Sequence, residues 1–281
     1  MSSSYCILSP AHAASMPLDE EQFRELKRAR KRLSSAYAIR HKYKLVRTNY
    51  GLITEALKAV GTAYLDDAHP ERLIDAKTRL NAAVNNYILS GRTFTAQIKR
   101  HVQASIQDRS EINRITRRME IEYQRSFAYR FVDSLYDYVS YYGISVHEIE
   151  ISGQPVYDSP DAVRRYEIKA YIDRDFLGGP TDFRASVLKE TPRSIELVSL
   201  LDEFMGCLDR INDLARQITD ETTINSHVLV KEFINVFAGS NGVPVNNLFV
   251  VHSMHGDDNN IYDKFPISMY VDQQNLEDEY R

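Results

Sequence analysis

From Ile112 to Tyr142 apolar residues return every three or four positions: Ile112, Ile115, Met119, Tyr123, Phe127, Phe131, Leu135, Tyr138 and Tyr142. That interval lines them along one stripe of a helix with 3.6 residues per turn, and the stripe needs other helices to bury it. Gly143 supplies a C-terminal stop. The same spacing recurs elsewhere. A first helix is predicted from Pro17-Leu18-Asp19-Glu20-Glu21, whose acids suit a helix start, to about Leu65, with Phe23, Leu26, Leu33, Tyr37, Val46, Tyr50, Ile53, Leu57 and Val60 on its stripe. Gly51 and Gly61 invite a kink or break in it. A second starts at Pro70 and carries Leu73, Leu80, Val84, Tyr87, Ile88, Ile98 and Val102. After Thr191-Pro192 comes a run from Ile195 to Ile218, and a further helix spans Ile224 to Phe237.

The period changes only between residues 144 and 176. Ile144, Val146, Ile149 and Ile151 alternate, as do the residues of Tyr166–Asp173, with Gly153-Gln154-Pro155 after the first run. Two alternating runs around a turn-rich stretch predict an antiparallel pair. Leu248–Val251 and Ile267–Val271 read as short strands near the C-terminus. The expected fold is mainly α, with a small antiparallel β insertion and short C-terminal strands. Residues 1–16 read as a flexible tail, 17–240 as one helical domain, and 241–281 as an extension with an acidic end.

Charge is segregated along the chain. Arg24–Arg47 holds ten Lys or Arg and one acid, Glu25. Residues 196–281 carry about -10, which leaves about +6 on residues 1–195. Such asymmetry points to an interaction face, to complementary packing between the two ends, or to a solvated helix face. Cys6 and Cys207 lack ligand spacing, so a reducing cytoplasm is the default. Residues 1–16 make a poor signal peptide, and no run approaches the ~18 apolar residues of a membrane span. No membrane partner is expected.

The segment Leu135-Tyr136-Asp137-Tyr138-Val139-Ser140-Tyr141-Tyr142-Gly143 resembles the end of the motif helix in uncharacterised bacterial HEPN-like proteins. Those proteins often carry Leu-Arg-Asn-Tyr-x-x-His-Tyr-Gly there. Asn81–Tyr87 through Arg92-Thr93-Phe94 is similar to their second core helix, and the likeness extends over roughly residues 75–220. It implies an antiparallel helical bundle, often dimeric, in defence or toxin–antitoxin-type systems that act on RNA. In active members an Arg and a His promote ribose 2'-hydroxyl attack on the adjacent phosphate. Here Tyr136, Asp137 and Tyr141 stand at the Arg, Asn and His positions. Tyrosine titrates near 10 and is a poor base at neutral pH. None of the eight His has an Arg five to seven residues before it, so the motif has not shifted elsewhere. The catalytic pair is absent, no catalytic residue is assigned and no cofactor is expected.

The leading expectation is a non-catalytic interaction or regulatory protein, a homodimer or the subunit of a partner, in which Tyr136, Asp137 and Tyr141 form an interface. Tyrosine suits that role because its ring buries apolar area while its hydroxyl finds a partner. Two alternatives stay open. Arg92, Arg100, Arg114, Arg117 and Arg118, with Tyr37, Tyr43, Tyr50 and Tyr123 to stack on bases, would suit an RNA-binding protein or residual ribonuclease. His252, His255 and Asp257 in His-Ser-Met-His-Gly-Asp-Asp would suit a metal-dependent enzyme.

Overall fold

A computed structural model describes residues 2–64, 69–106, 108–155, 164–177, 183–245, 247–255 and 260–267. In chain order the elements are β1 (Ser2–Ser9), β2 (Ala14–Leu18), α1 (Glu20–Tyr64), α2 (Pro70–Ser105), α3 (Arg109–Arg125), α4 (Phe127–Tyr142), β3 (Glu148–Pro155), β4 (Arg164–Asp173), α5 (Arg174–Leu177), α6 (Ala185–Glu190), β5 (Ser194–Glu196), α7 (Leu197–Asn241), β6 (Phe249–His255) and β7 (Asn260–Pro266). The protein is mainly helical, with small antiparallel sheets. It divides into two units, 1–39 with 100–112 and 215–281, and 40–99 with 113–214.

The first unit contains a four-stranded sheet in the order β2-β1-β6-β7. The residues expected to be a loose tail therefore form two of its strands. β1 pairs with β2 (Tyr5 opposite Leu18) and with β6 (Tyr5 opposite His252). Alternation along β1 and β6 turns Ile7 and Val250 into a core with Phe23, Leu26 and Leu33 of α1, Val230, Ile234 and Phe237 of α7, and Phe265 of β7. Each such fully buried side chain contributes about 1.5–3 kcal/mol of transfer free energy. β7 precedes the expected Ile267–Val271 strand, and residues 268–271 lie outside the described residues.

The second unit contains the three-stranded sheet β3-β4-β5, with Ile149 opposite Ala170 and Ile172 opposite Ile195. Its α2 stripe is buried as predicted at Leu80, Val84, Tyr87 and Ile88. Phe94, outside the predicted stripe, is fully buried as well. Gly91 sits under Phe204 of α7: a Cβ there would lie 2.8 Å from Phe204 Cε1. The close approach explains a glycine inside a helix, where it costs about 1 kcal/mol against alanine. At Gly61 a Cβ would lie 2.7 Å from Ile168 Cδ1 of β4. Neither Gly51 nor Gly61 breaks α1.

Helix boundaries depart from the sequence reading in two places. The stripe from Ile112 to Tyr142 is carried by two helices, α3 and α4, interrupted at Ser126. Ser126 has extended φ/ψ of -99° and 119°, and its Oγ accepts from Tyr129 N, an N-cap that restarts the helix. Arg130 closes the other end, donating from one nitrogen to the carbonyls of Tyr123, Gln124 and Ser126. Conversely, the two helices expected after Ile195 are one, α7, because no Gly or Pro interrupts residues 212–230.

Candidate functional site

α4 ends at Gly143 in the left-handed conformation, φ 71°, with its N–H on Val139 O. Beyond it the chain is held by one side chain. Asn81 Oδ1 accepts from Ser145 N (2.8 Å), Val146 N (3.2 Å) and Ser145 Oγ (3.2 Å), while Asn81 Nδ2 and Asn85 Nδ2 both donate to Gly143 O at 2.8 Å. Two asparagines one turn apart on α2 thus fix where α4 stops and β3 begins.

That anchor presents a continuous run of rings. Tyr141, Tyr142, Tyr138, His147 and Phe176 follow one another, with centroids 4.8, 4.8, 6.1 and 4.7 Å apart. Tyr138 is buried, whereas Tyr141 is 71% exposed, Phe176 63%, Ile144 48% and Tyr142 41%. His147 Nδ1 accepts from Asp173 N at 3.0 Å, so the ring proton resides on Nε2, which faces Tyr138 Oη at 3.4 Å. Burial lowers its pKa, against the smaller opposing effect of Asp173. Within three residues of these rings in sequence lie five acids, Asp137, Glu148, Glu150, Asp173 and Asp175, and one base, Arg174. Arg174 N also donates to the carbonyl of a second exposed base, Arg193, at 2.9 Å.

Tyr136 and Asp137 are half-buried rather than fully presented. The Arg92 guanidinium of α2 lies 5.7 Å from the Tyr136 ring centroid. Arg92 Nη1 also donates to Asp133 at 2.7 Å, and Arg184 Nη2 reaches the second oxygen of the same carboxylate at 2.6 Å. Arg184 further donates to Tyr123 Oη. Asp133 is buried, and two guanidinium groups compensate it. A neighbouring network centres on buried Glu122, which accepts a fork from Arg210 (3.0 and 2.7 Å) and a bond from Arg118 (3.2 Å). The Arg210 bonds hold the Glu122 carboxyl below its ordinary range.

These networks change the nucleic-acid candidates. Arg92 and Arg118 each donate one bond to a buried carboxylate, while Arg100, Arg114 and Arg117 are exposed. Three of the four tyrosines offered for base stacking, Tyr43, Tyr50 and Tyr123, are packed instead. Tyr43 faces Phe94 at 5.9 Å and donates to Asp209; burial chiefly, then that carboxylate, pushes its pKa up to about 12. Tyr50 packs on Tyr87 and donates to Asp202, and Tyr123 packs on Tyr129. Arg47 pairs with Asp209 at 3.7 Å, and Lys27 with Asp263 at 2.6 Å. Part of the charge segregation is therefore internal complementarity.

His252 is buried among the rings of Tyr5, Phe23 and Tyr262, which is a packing environment. His255 ends β6, and Asp257 lies outside the described residues. Among the described residues, no group of three or more His, Cys, Asp or Glu is placed to hold a metal ion. No described helix is long and apolar enough to cross a membrane.

Sequence reasoning found Tyr141 and Arg92 but missed Asn81, Asp133, His147, Phe176 and Arg184. Asp133 carried a signal: an acid between Val132 and Leu135, one turn before Asp137, on a strongly apolar helix. Arg184 carried none. Comparison with protein families, curated proteins and solved structures gives no match.

Proposed function

We propose that this chain is a non-catalytic helical interaction protein of HEPN-like type, and that it binds a cationic segment of another protein through the rings at the end of α4. The single observation that carries this reading is the run of exposed aromatic and apolar side chains, Tyr141, Tyr142, Ile144 and Phe176, on a rigidly anchored helix end. Aromatic groups of this kind anchor interfaces, because each buries a large area at low entropic cost. The rim selects the partner. The five acids near these rings in sequence outnumber Arg174 and its neighbour Arg193, an acid excess that repels nucleic-acid phosphate and a second copy of the same surface, so a Lys- or Arg-bearing segment is the complementary occupant. Tyr141 and Phe176 make the contact, Asp137 belongs to the acidic rim, and Tyr136 supports it from its place against Arg92.

Titration with a deca-arginine peptide tests this. Saturable binding that weakens at least tenfold in the Tyr141→Ser, Phe176→Ser double variant supports the reading. Binding that is unchanged in that variant refutes it. Self-association by light scattering that is lost in the same variant would replace the basic partner by a second copy. Binding of a single-stranded RNA oligomer that is lost on Arg114→Glu with Arg117→Glu would replace it by RNA.

A further inference from the structure

A cleft of about 260 Å³ opens among α2, α3 and α4, lined chiefly by Arg92, Met119, Glu120, Tyr123, Tyr129 and Asp133. We propose that it binds a small monocarboxylate with a ring-sized apolar body, held by the Arg92 guanidinium. The argument begins with charge. Asp133 is buried between Arg92 and Arg184, so the three groups together carry one positive charge more than they need. Of the N–H groups on Arg92, only one at Nη1 is engaged with Asp133, and the side chain remains 39% exposed. The planar fork of a guanidinium matches a carboxylate with two parallel hydrogen bonds. Asp133 and the Tyr136 ring hold that fork in place before any ligand arrives, which lowers the entropic cost of using it.

The walls set the rest of the ligand. Tyr123 and Tyr129 meet edge to face at 5.7 Å, and with Met119 they form an apolar flank. Drug-sized ligands occupy roughly 300–1,000 Å³, so this cleft takes something smaller, of the order of a single ring. Glu120, exposed on the cleft wall, opposes higher anionic charge, and this favours a monocarboxylate over a phosphate dianion. The cleft is lined by none of the exposed rings of the α4 end, so this inference and the interaction reading stand or fall separately.

Benzoate is the probe, with benzamide as its neutral isostere and inorganic phosphate as the dianion, followed by NMR of tyrosine-labelled full-length protein. The expected result is saturable shifts of the Tyr123 and Tyr129 resonances with benzoate, at least tenfold weaker affinity for benzamide and for phosphate, and at least tenfold loss in Arg92→Met. Arg184 still pairs with Asp133 in that variant. Should it nevertheless fail to fold, Glu120→Gln provides the check from an exposed position: removing the opposing carboxylate tightens benzoate binding two- to fivefold. Equal binding of benzoate and benzamide, absence of benzoate shifts at tens of millimolar, or unchanged affinity in both variants overturns the proposal.

Discussion

Replacing Asn81 by alanine removes the one oxygen on which three donors converge. Ser145 is fully buried, so its N–H has no water to turn to once Oδ1 is gone. A buried donor left unsatisfied costs about 1–3 kcal/mol. Val146 N is only half-buried and regains part of its bond from solvent, adding about 0.5–1 kcal/mol. The Ser145 hydroxyl falls back on the Asn81 backbone carbonyl at 3.5 Å, and Gly143 O keeps Asn85. The total is about 1.5–4 kcal/mol, concentrated at the junction of α4 and β3. Asn85→Ala is the internal control. It also removes one bond to Gly143 O, but it deletes a buried Oδ1 that has no hydrogen-bond partner, so its cost stays below about 1 kcal/mol. Native-state hydrogen exchange reads the difference residue by residue. At about 1.4 kcal/mol per factor of ten, the protection of the amides around Ser145 falls roughly 10- to 1,000-fold in Asn81→Ala and less than about fivefold in Asn85→Ala. Equal effects of the two substitutions, or unchanged protection at Ser145, would show that Asn81 does not anchor the junction.

Two further predictions concern glycine and histidine. Gly91→Ala drives a Cβ to 2.8 Å from the buried Phe204 ring and destabilises by about 1–2 kcal/mol after the gain in helix propensity, whereas Gly51→Ala meets nothing within 4 Å and stabilises by about 0.5–1 kcal/mol; urea midpoints that move together for the two would refute the packing argument. The folded-state pKa of His147 lies below its unfolded value of about 6.5, so the stability it contributes is present above pH 6.5 and is lost as pH falls toward the folded pKa, where protonation of Nδ1 breaks the bond from Asp173 N. An NMR titration of His147 centred at or above 6.5 would contradict this.

The helices were legible because burial imposes a period on the sequence, and α2 keeps that period through Leu80, Val84, Tyr87 and Ile88. The break at Ser126 was not, because Tyr123 and Phe127 continue the stripe across it; the interruption is visible only in the hydroxyl's bond to Tyr129 N. β1 was missed for a different reason. Ser2-Ser3-Ser4 has the composition of a tail, and the partner that makes it a strand lies at the far end of the chain. At the candidate site, Arg92 could be recognised as a cation. That Asp133 claims part of it, and that Tyr136 lies beneath it, depended on contacts more than 40 residues apart in sequence.

The pairing of β1 with β6 also orders events during synthesis. A two-stranded hairpin such as β1 with β2 is marginal in water by itself. Its inner edge is completed only when Phe249–His255 has been made, nearly a whole chain length after Tyr5. Until then β1 offers a row of unpaired peptide groups to any extended segment nearby. The most vulnerable moment for this unit is therefore the interval between translation of β1 and of β6. A silent codon change that slows the ribosome just before residue 249 is expected to lower soluble yield without altering a single residue of the finished protein.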